Sequence, residues 1–295
     1  MNILVAGANG QLGRELRRLS AGSAHNFIFT DVSQIPGLET VWLDITDADA
    51  VRLITESENV DVIINAAAYT NVDKAEDDLV LVDLLNNQAP AILARAAKDR
   101  GALLISISTD YVFNGLGCTP IAETQKPDPR SAYGASKLAG EIAIAKSGCR
   151  SIIIRTAWLY SPYGKNFVKT MLHLTEVNES IKVVYDQVGS PTAAADLAAA
   201  ILHIIDSGQT NKTGIYHYTD EGAVSWFDFA QEIKRLGGTS ATINPCLSNE
   251  FPSKAERPHY SVLDKSLFRK TFGVEIPYWR TSLEKCIERI ASGEN

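Results

Sequence analysis

Short, nearly continuous apolar runs alternate along the first half of the chain with stretches in which apolar residues return every three or four positions. "NILVAG" (2–7), "FIFTD" (27–31), "ETVWLD", "VDVIINAA" (60–67), "ALLISIS" (102–108) and "SIIIRTAW" (151–158) have the first pattern. "QLGRELRRLS", "DADAVRLITES" and "NQAPAILARAAKDRG" have the second. Continuous apolar runs predict strands buried on both faces, and amphipathic helices between them predict the layers that cover such a sheet. The expected class is α/β, a doubly wound parallel sheet. Beyond Trp158 the alternation loosens and prolines, tyrosines and tryptophans become more frequent, which predicts a smaller mixed α/β lobe. We place the first domain at residues 1–160 and a second lobe at 161–295. The segment at about 186–218, which opens with "DQVGSPTAAADLAAAILHII", is a candidate to return to the first domain.

Composition narrows the function classes. The 295 residues are 45% hydrophobic and 21% charged, with a formal net charge of −7 and no basic block. That balance weighs against nucleic acid as a partner and leaves room for a small anionic ligand in a locally basic pocket. The apolar run at the N-terminus is too short for a signal peptide or a membrane span, so a soluble, cytoplasmic protein with no membrane partner is expected. Cys118, Cys149, Cys246 and Cys286 are far apart and form no CxxC, which suggests neither a zinc site nor a disulfide framework. The five histidines show no ligand spacing and are taken as structural.

"GANGQLG" sets Gly7, Gly10 and Gly13 at intervals of three, after a predicted strand and at the opening of a helix. A tight turn with close backbone approach needs residues without Cβ, and the helix start offers N–H groups to a pyrophosphate. In this context the turn predicts a Rossmann-like dinucleotide site, whereas alone it would be only a tight connection. Asp31 ends the second strand at about the ~20-residue distance where an acid meets the adenosine ribose. It favours NADH, NADPH being also compatible; its plain alternative is a strand-terminating aspartate.

"ALLISIS" runs into "STDYVFNG", so Ser108, Thr109 and Asp110 are expected at the carboxyl edge of the sheet, where ligands bind in open α/β folds. Tyr133 and Lys137 in "YGASKLAGE" stand at i and i+4, one turn apart on one helix face, with Ser131 as the expected N-cap. An adjacent ammonium is expected to favour the phenolate and bring Tyr133 nearer the working pH. The plainer alternatives are a capped turn for Thr109, a solvated helix face for Tyr133 and Lys137, and core aromatics for Trp158 and Phe167.

"GANGQLG", "NAAAYTNVDKAE", "STDYVFNG" and "YGASKLAGE" resemble the extended short-chain dehydrogenase/reductases. With "RTAWLYSPYGKNFVKTML", "DQVGSPT" and "RPHYSVLD", the ordered set is similar to the dTDP-4-dehydrorhamnose reductase family, over residues 1 to about 264. The resemblance implies reduction of the 4-keto group of dTDP-4-dehydro-L-rhamnose by NADH or NADPH, the last step of dTDP-L-rhamnose synthesis for cell-surface polysaccharide. It implies Thr109, Tyr133 and Lys137 as catalytic residues. Tyr133 would be the general acid, and Lys137 would lower its pKa and hold the nicotinamide ribose. Gly7, Gly10, Gln11, Leu12, Gly13, Asp31, Asp44, Ile45, Ala68, Tyr69 and Thr70, with Tyr133 and Lys137, would line the cofactor. Thr109, Asp110, Trp158, Lys165, Asn166 and Arg257 would meet the dTDP-sugar, Trp158 packing on the deoxysugar and Lys165, Asn166 and Arg257 facing the diphosphate.

Some members of that family are dimers with magnesium held by acids at the interface. Glu15 is acidic here, but Ala195 stands where a second acid would be, so the metal is not carried over, and a homodimer is compatible rather than implied. Two alternatives stay open: another nucleotide-sugar enzyme of the same fold, an epimerase or dehydratase, and a non-catalytic regulatory subunit.

Overall fold

The computed structural model describes residues 1–251 and 253–294. The chain opens with β1 (Asn2–Ala6), α1 (Gln11–Leu19), β2 (Asn26–Asp31), β3 (Val41–Trp42), α2 (Ala48–Ser57) and β4 (Val62–Asn65). It continues through α3 (Val72–Ala75), α4 (Leu79–Asp83), a π-helical turn (Leu84–Gln88), α5 (Ala89–Arg100), β5 (Leu103–Thr109), α6 (Ala132–Ser147) and β6 (Arg150–Thr156). Then come β7 (Leu159–Tyr160), α7 (Phe167–Val177), β8 (Ser180–Val184), β9 (Val188–Gly189), β10 (Thr192–Ala193), α8 (Ala194–Asp206) and β11 (Gly214–His217). The last elements are β12 (Val224–Ser225), α9 (Trp226–Gly237), β13 (Thr242–Cys246), α10 (Ser266–Phe272) and α11 (Trp279–Ala291).

Seven strands form one parallel sheet in the order β11-β6-β5-β4-β1-β2-β3. The order reverses direction beside β1 and β4, the switch point at which a ligand crevice opens in such sheets. Continuous burial along β1, β4, β5 and β6 explains their unbroken apolar sequence, since alternate side chains enter two different cores. Ile3, Val5, Ile64, Ile105 and Ile152 face one core with α1 and α8, while Leu4, Ile63, Leu104 and Ile153 face the other with α2 and α5.

A third core lies outside this sheet and is mostly aromatic and aliphatic, built by Tyr160, Val168, Phe229, Ile233, Trp279 and Leu283. Its strands are short pairs, β10 with β7, β12 with β9 and β13 with β8. Within this half of the chain α8 turns back onto the face holding α1, and β11 extends the main sheet beside β6.

Candidate active site

The glycine turn is built as its spacing requires. Gly7 has φ +78°, and a Cβ there would fall 2.6 Å from the Ala67 nitrogen; at Gly13 it would fall 2.4 Å from the Gly7 carbonyl oxygen. Both positions therefore exclude side chains, one through conformation and contact, the other through contact alone. The N–H groups of Gly7 and Ala8 donate to the Thr30 carbonyl, each at 3.0 Å, which ties the turn to the end of β2. Gly10 is the N-cap of α1 and offers no side-chain acceptor, so the first amides of the helix, at Gln11, Leu12 and Gly13, point out of its end.

Asp31 lies beside this turn. Its carboxylate accepts from the Asn9 N–H at 3.1 Å, the Ser33 N–H at 2.8 Å and the Ser33 hydroxyl at 2.7 Å. A carboxylate has about four acceptor sites, so these bonds fix its orientation and leave capacity for a ribose hydroxyl. Asp44 accepts from the Thr46 N–H and hydroxyl, and Ile45 is buried in the core, so the residues expected near the adenine form a firm wall past β3.

The loop after β4 holds Ala68, Tyr69 and Thr70. Its anchor is Asn86, a residue that the sequence did not flag. The Asn86 carboxamide accepts from the Tyr69 N–H at 2.9 Å, donates to the Tyr69 carbonyl at 3.0 Å and donates to Ser136 Oγ at 3.0 Å. Asn86 sits in the π-helical turn, an irregularity that apolar periodicity does not reveal and that is frequent at functional sites.

The residues expected to act on substrate do come together. Ser131 caps α6 through the Gly134 N–H at 3.1 Å, and the helix carries Tyr133 and Lys137 towards the end of β5. The Tyr133 phenol lies against the Thr109 hydroxyl, near enough for that hydroxyl to lower its pKa. Thr109 Oγ1 donates in turn to Asp110 Oδ1 at 3.0 Å and accepts from the Tyr111 N–H at 3.2 Å. Tyr111 meets Tyr133 edge-on, with ring centroids 5.6 Å apart. Ser261, from "RPHYSVLD", also lies beside Asp110 and acts to lower its pKa. The Asp110 carboxyl is buried, with Oδ2 unpartnered, and desolvation pushes its pKa up to about 6 against the hydrogen bonds that lower it.

One electrostatic expectation is corrected. Lys137 Nζ donates to the Ile107 carbonyl at 2.6 Å, and burial raises the Tyr133 phenol above its ordinary value instead of the ammonium lowering it. Desolvation of a phenolate in this pocket outweighs the lowering influence of the neighbouring Thr109 hydroxyl. Burial also lowers Lys137 to about 8, opposed by the negative charge of Glu141 one turn further along α6. Glu141 is the other residue hidden in the motif: with Arg155 it forms a buried pair at 2.6 and 2.9 Å, and it accepts from the Ser108 hydroxyl. Arg155 reaches His217 at 3.5 Å, and burial followed by this charge lowers the imidazole to about 3.

Among the residues expected to meet the sugar, Trp158 is half-buried between β6 and β7 and stacks on Trp226, with centroids 3.5 Å apart. Arg257 pairs with Asp73 at 2.8 Å and reaches the Tyr111 hydroxyl at 3.4 Å, so it borders the site. Lys165 is exposed on the loop before α7. Asn166 is a correction. Its Oδ1 caps α7 at the Lys169 N–H, and its Nδ2 faces Gln11 Oε1 at 3.0 Å and the Ser161 carbonyl at 2.8 Å. An amide committed to a helix cap and to acceptors of its own fold is not a donor for a diphosphate. Gln11 correspondingly joins the two lobes through its side chain and can meet a cofactor through its N–H.

A family model described as RmlD substrate binding domain matches residues 1–292. The chain belongs to this family. Among the relatives of this RmlD family member, a dTDP-4-dehydrorhamnose reductase of Burkholderia thailandensis is 37% identical over 306 residues, covering 99% of this chain and 100% of that protein. A crystal structure of a dTDP-4-dehydrorhamnose reductase from Clostridium acetobutylicum superposes with a TM-score of 0.92 at 43% identity, covering 99% and 100% of the two chains. One from Bacillus anthracis, in complex with NADP, gives 0.91 at 36% identity, covering 98% and 99%. The resemblance drawn from the motifs and the Rossmann-like fold are thereby established. No helix among the described residues is long and apolar enough to cross a membrane.

The magnesium ion that the resemblance raised does not fit the residues present. Glu15 is buried and its carboxylate is already neutralised by Arg18 at 2.9 Å and Arg289 at 2.8 Å. A site whose acid is matched by two guanidinium groups has no charge left to hold a divalent cation.

Proposed function

We propose that this chain catalyses reduction of the 4-keto group of dTDP-4-dehydro-L-rhamnose to dTDP-L-rhamnose, closing dTDP-rhamnose synthesis for cell-surface polysaccharide. The observation that carries it is the juxtaposition of Tyr133 and Thr109, with Lys137 on the same helix, at the carboxyl edge of β5. A bound NADH or NADPH supplies the hydride. The amides at the start of α1 receive its pyrophosphate, and the loop at 68–70 lies along it.

Thr109 and Tyr133 direct two hydroxyl groups at one carbonyl oxygen. As the carbonyl carbon gains a hydride, its oxygen acquires negative charge, and the Tyr133 O–H delivers the proton that completes the alcohol. A raised phenol pKa suits this direction, because the acid must stay protonated until the alkoxide forms. Lys137, still largely an ammonium below pH 8, stands one turn along the same helix face and holds the nicotinamide ribose, while the phenolate left behind regains its proton from solvent. Trp158 covers the apolar methyl side of the deoxysugar, and Arg257 is the favoured cation for the diphosphate.

Purified protein is mixed with dTDP-4-dehydro-L-rhamnose and each reduced cofactor, nicotinamide absorbance is followed and the sugar is identified. Loss of absorbance with dTDP-L-rhamnose as product supports the reading. A changed sugar with no net oxidation of cofactor would make the chain an epimerase or dehydratase, and no reaction would leave a binding subunit.

A further inference from the structure

Trp158 has φ +50°, a left-handed backbone that a bulky side chain rarely adopts. Nothing in "TAWLY" requires such a turn, so the surroundings must hold it. The Thr192 N–H donates to the Trp158 carbonyl at 3.2 Å. Trp226 covers one face of the indole, the planes only 10° apart, and Phe167 braces Trp226 with centroids at 4.5 Å. Along the indole edge runs Gly189, where a Cβ would fall 2.6 Å from Cε2 and 2.8 Å from Cζ2 of Trp158.

Both supports come from one two-stranded ladder. β9 and β12 run antiparallel, with Gly189 opposite Val224 and Val188 opposite Ser225. Ser225 then caps α9 in a reciprocal box with Asp228, which makes Trp226 the first residue of that helix and fixes where its ring starts. The same ladder adjoins the polar site, since a Cβ on Gly189 would also lie 2.9 Å from Ser261 Oγ, and Ser261 stands beside Asp110.

We propose that Trp226 and Gly189 are positioning residues for the deoxysugar: the β9–β12 ladder clamps the Trp158 indole in its strained pose and thereby sets affinity for the sugar without acting on the cofactor. This rests on the assignment of Trp158 as the cover of the sugar. Gly189 has no left-handed φ, so alanine there meets no backbone strain and probes the space between the indole and the Ser261 hydroxyl, the closest contacts being with the indole.

The test is steady-state kinetics with dTDP-4-dehydro-L-rhamnose, NADH titration and melting curves. An aromatic pair of this kind is expected to change the sugar KM by about tenfold at most, so Trp226→Ala and Gly189→Ala should each raise KM severalfold. NADH affinity should hold, and Trp226→Phe should restore most of KM. If Trp226→Ala fails to fold, Gly189→Ala and Trp226→Phe carry the test. Wild-type KM in folded Trp226→Ala and Gly189→Ala, with KM raised in Trp158→Ala, overturns the clamp and leaves Trp158 on the sugar. Wild-type KM in Trp158→Ala removes Trp158 from the sugar and the clamp with it. Parallel loss of melting temperature, NADH affinity and sugar affinity in all the variants makes the stack core packing only, and also overturns the clamp.

Discussion

The two walls of the crevice are made of different materials. Around the proposed catalytic groups, polar side chains stand on long regular elements: Thr109 ends a seven-residue strand, Tyr133 and Lys137 share a sixteen-residue helix, and Glu141 locks that helix to Arg155 through two hydrogen bonds. Where the sugar is proposed to lie, stacked rings adjoin strands two residues long, Trp158 just before one and Trp226 just after another. The polar wall must present few atoms at fixed positions, which rigid elements do well. The aromatic wall must match a shape, which packing of large rings achieves with little regular structure. Chemistry and selectivity should therefore fail separately when each wall is damaged.

The sharpest way to break this contrast is Tyr133→Phe. General acid catalysis contributes about 10²–10⁴-fold, so turnover should fall by that much while NADH and the sugar nucleotide still bind. Equilibrium titration beside single-turnover rates checks it, and a parallel loss of binding would mean that the walls are not independent.

Next in size is Glu141→Gln, which strands the Arg155 charge in the interior. Breaking one side of a buried pair costs about 3–5 kcal/mol, and chemical denaturation should show a loss of that order. A loss under about 1 kcal/mol, the range of exposed pairs, would show that water reaches the pair.

Asp110 sharpens the contrast by cost. Its folded-state pKa of about 6 exceeds the 3.8 of a free aspartate, so the native state binds more protons than the unfolded one between these values. Stability contributed by this residue therefore falls as pH rises through that window, and the penalty, about 3 kcal/mol at most, is complete above pH 6. Asp110→Asn should raise the melting temperature at pH 8 and much less at pH 4, while sugar turnover suffers. An equal gain at both pH values would point to altered packing instead.

The smallest expected effect is at Asp31. Its carboxylate accepts ribose hydrogen bonds and repels a 2′-phosphate, so Asp31→Ala should shift the ratio of NADH to NADPH efficiency by about tenfold, the worth of one charged hydrogen bond. An unchanged ratio would leave Asp31 as the anchor of the Asn9–Ser33 turn.

Legibility in the sequence divides along the same line. Runs such as "VDVIINAA" disclose the sheet because burial on both faces leaves few polar positions, and "GANGQLG" and "YGASKLAGE" disclose chemistry because their contacts span one turn. Asn86, Glu141 and Ser261 were missed since their meaning depends on partners distant in sequence: Tyr69 and Ser136, Arg155, and Asp110. The Trp158–Trp226 stack joins residues 68 positions apart through a ladder too short to leave a period-two signal. Asn166 misled for the opposite reason: a residue that suits anion binding equally suits the cap of a helix.

The late arrival of β11 bears on how the chain is made. During synthesis the strands from β1 to β6 emerge first, and the outer side of β6, with Ile152, Ile153 and Ile154, has no neighbour until Gly214–His217 is made. The face of α1 that carries Leu12 and Leu16 likewise waits for α8. An unpaired apolar edge of this kind is where nascent chains join to one another. A fragment cut near Tyr160 should accordingly aggregate where one extended past His217 stays in solution, and a nascent chain is safest if a chaperone shields that edge over the intervening sixty or so residues.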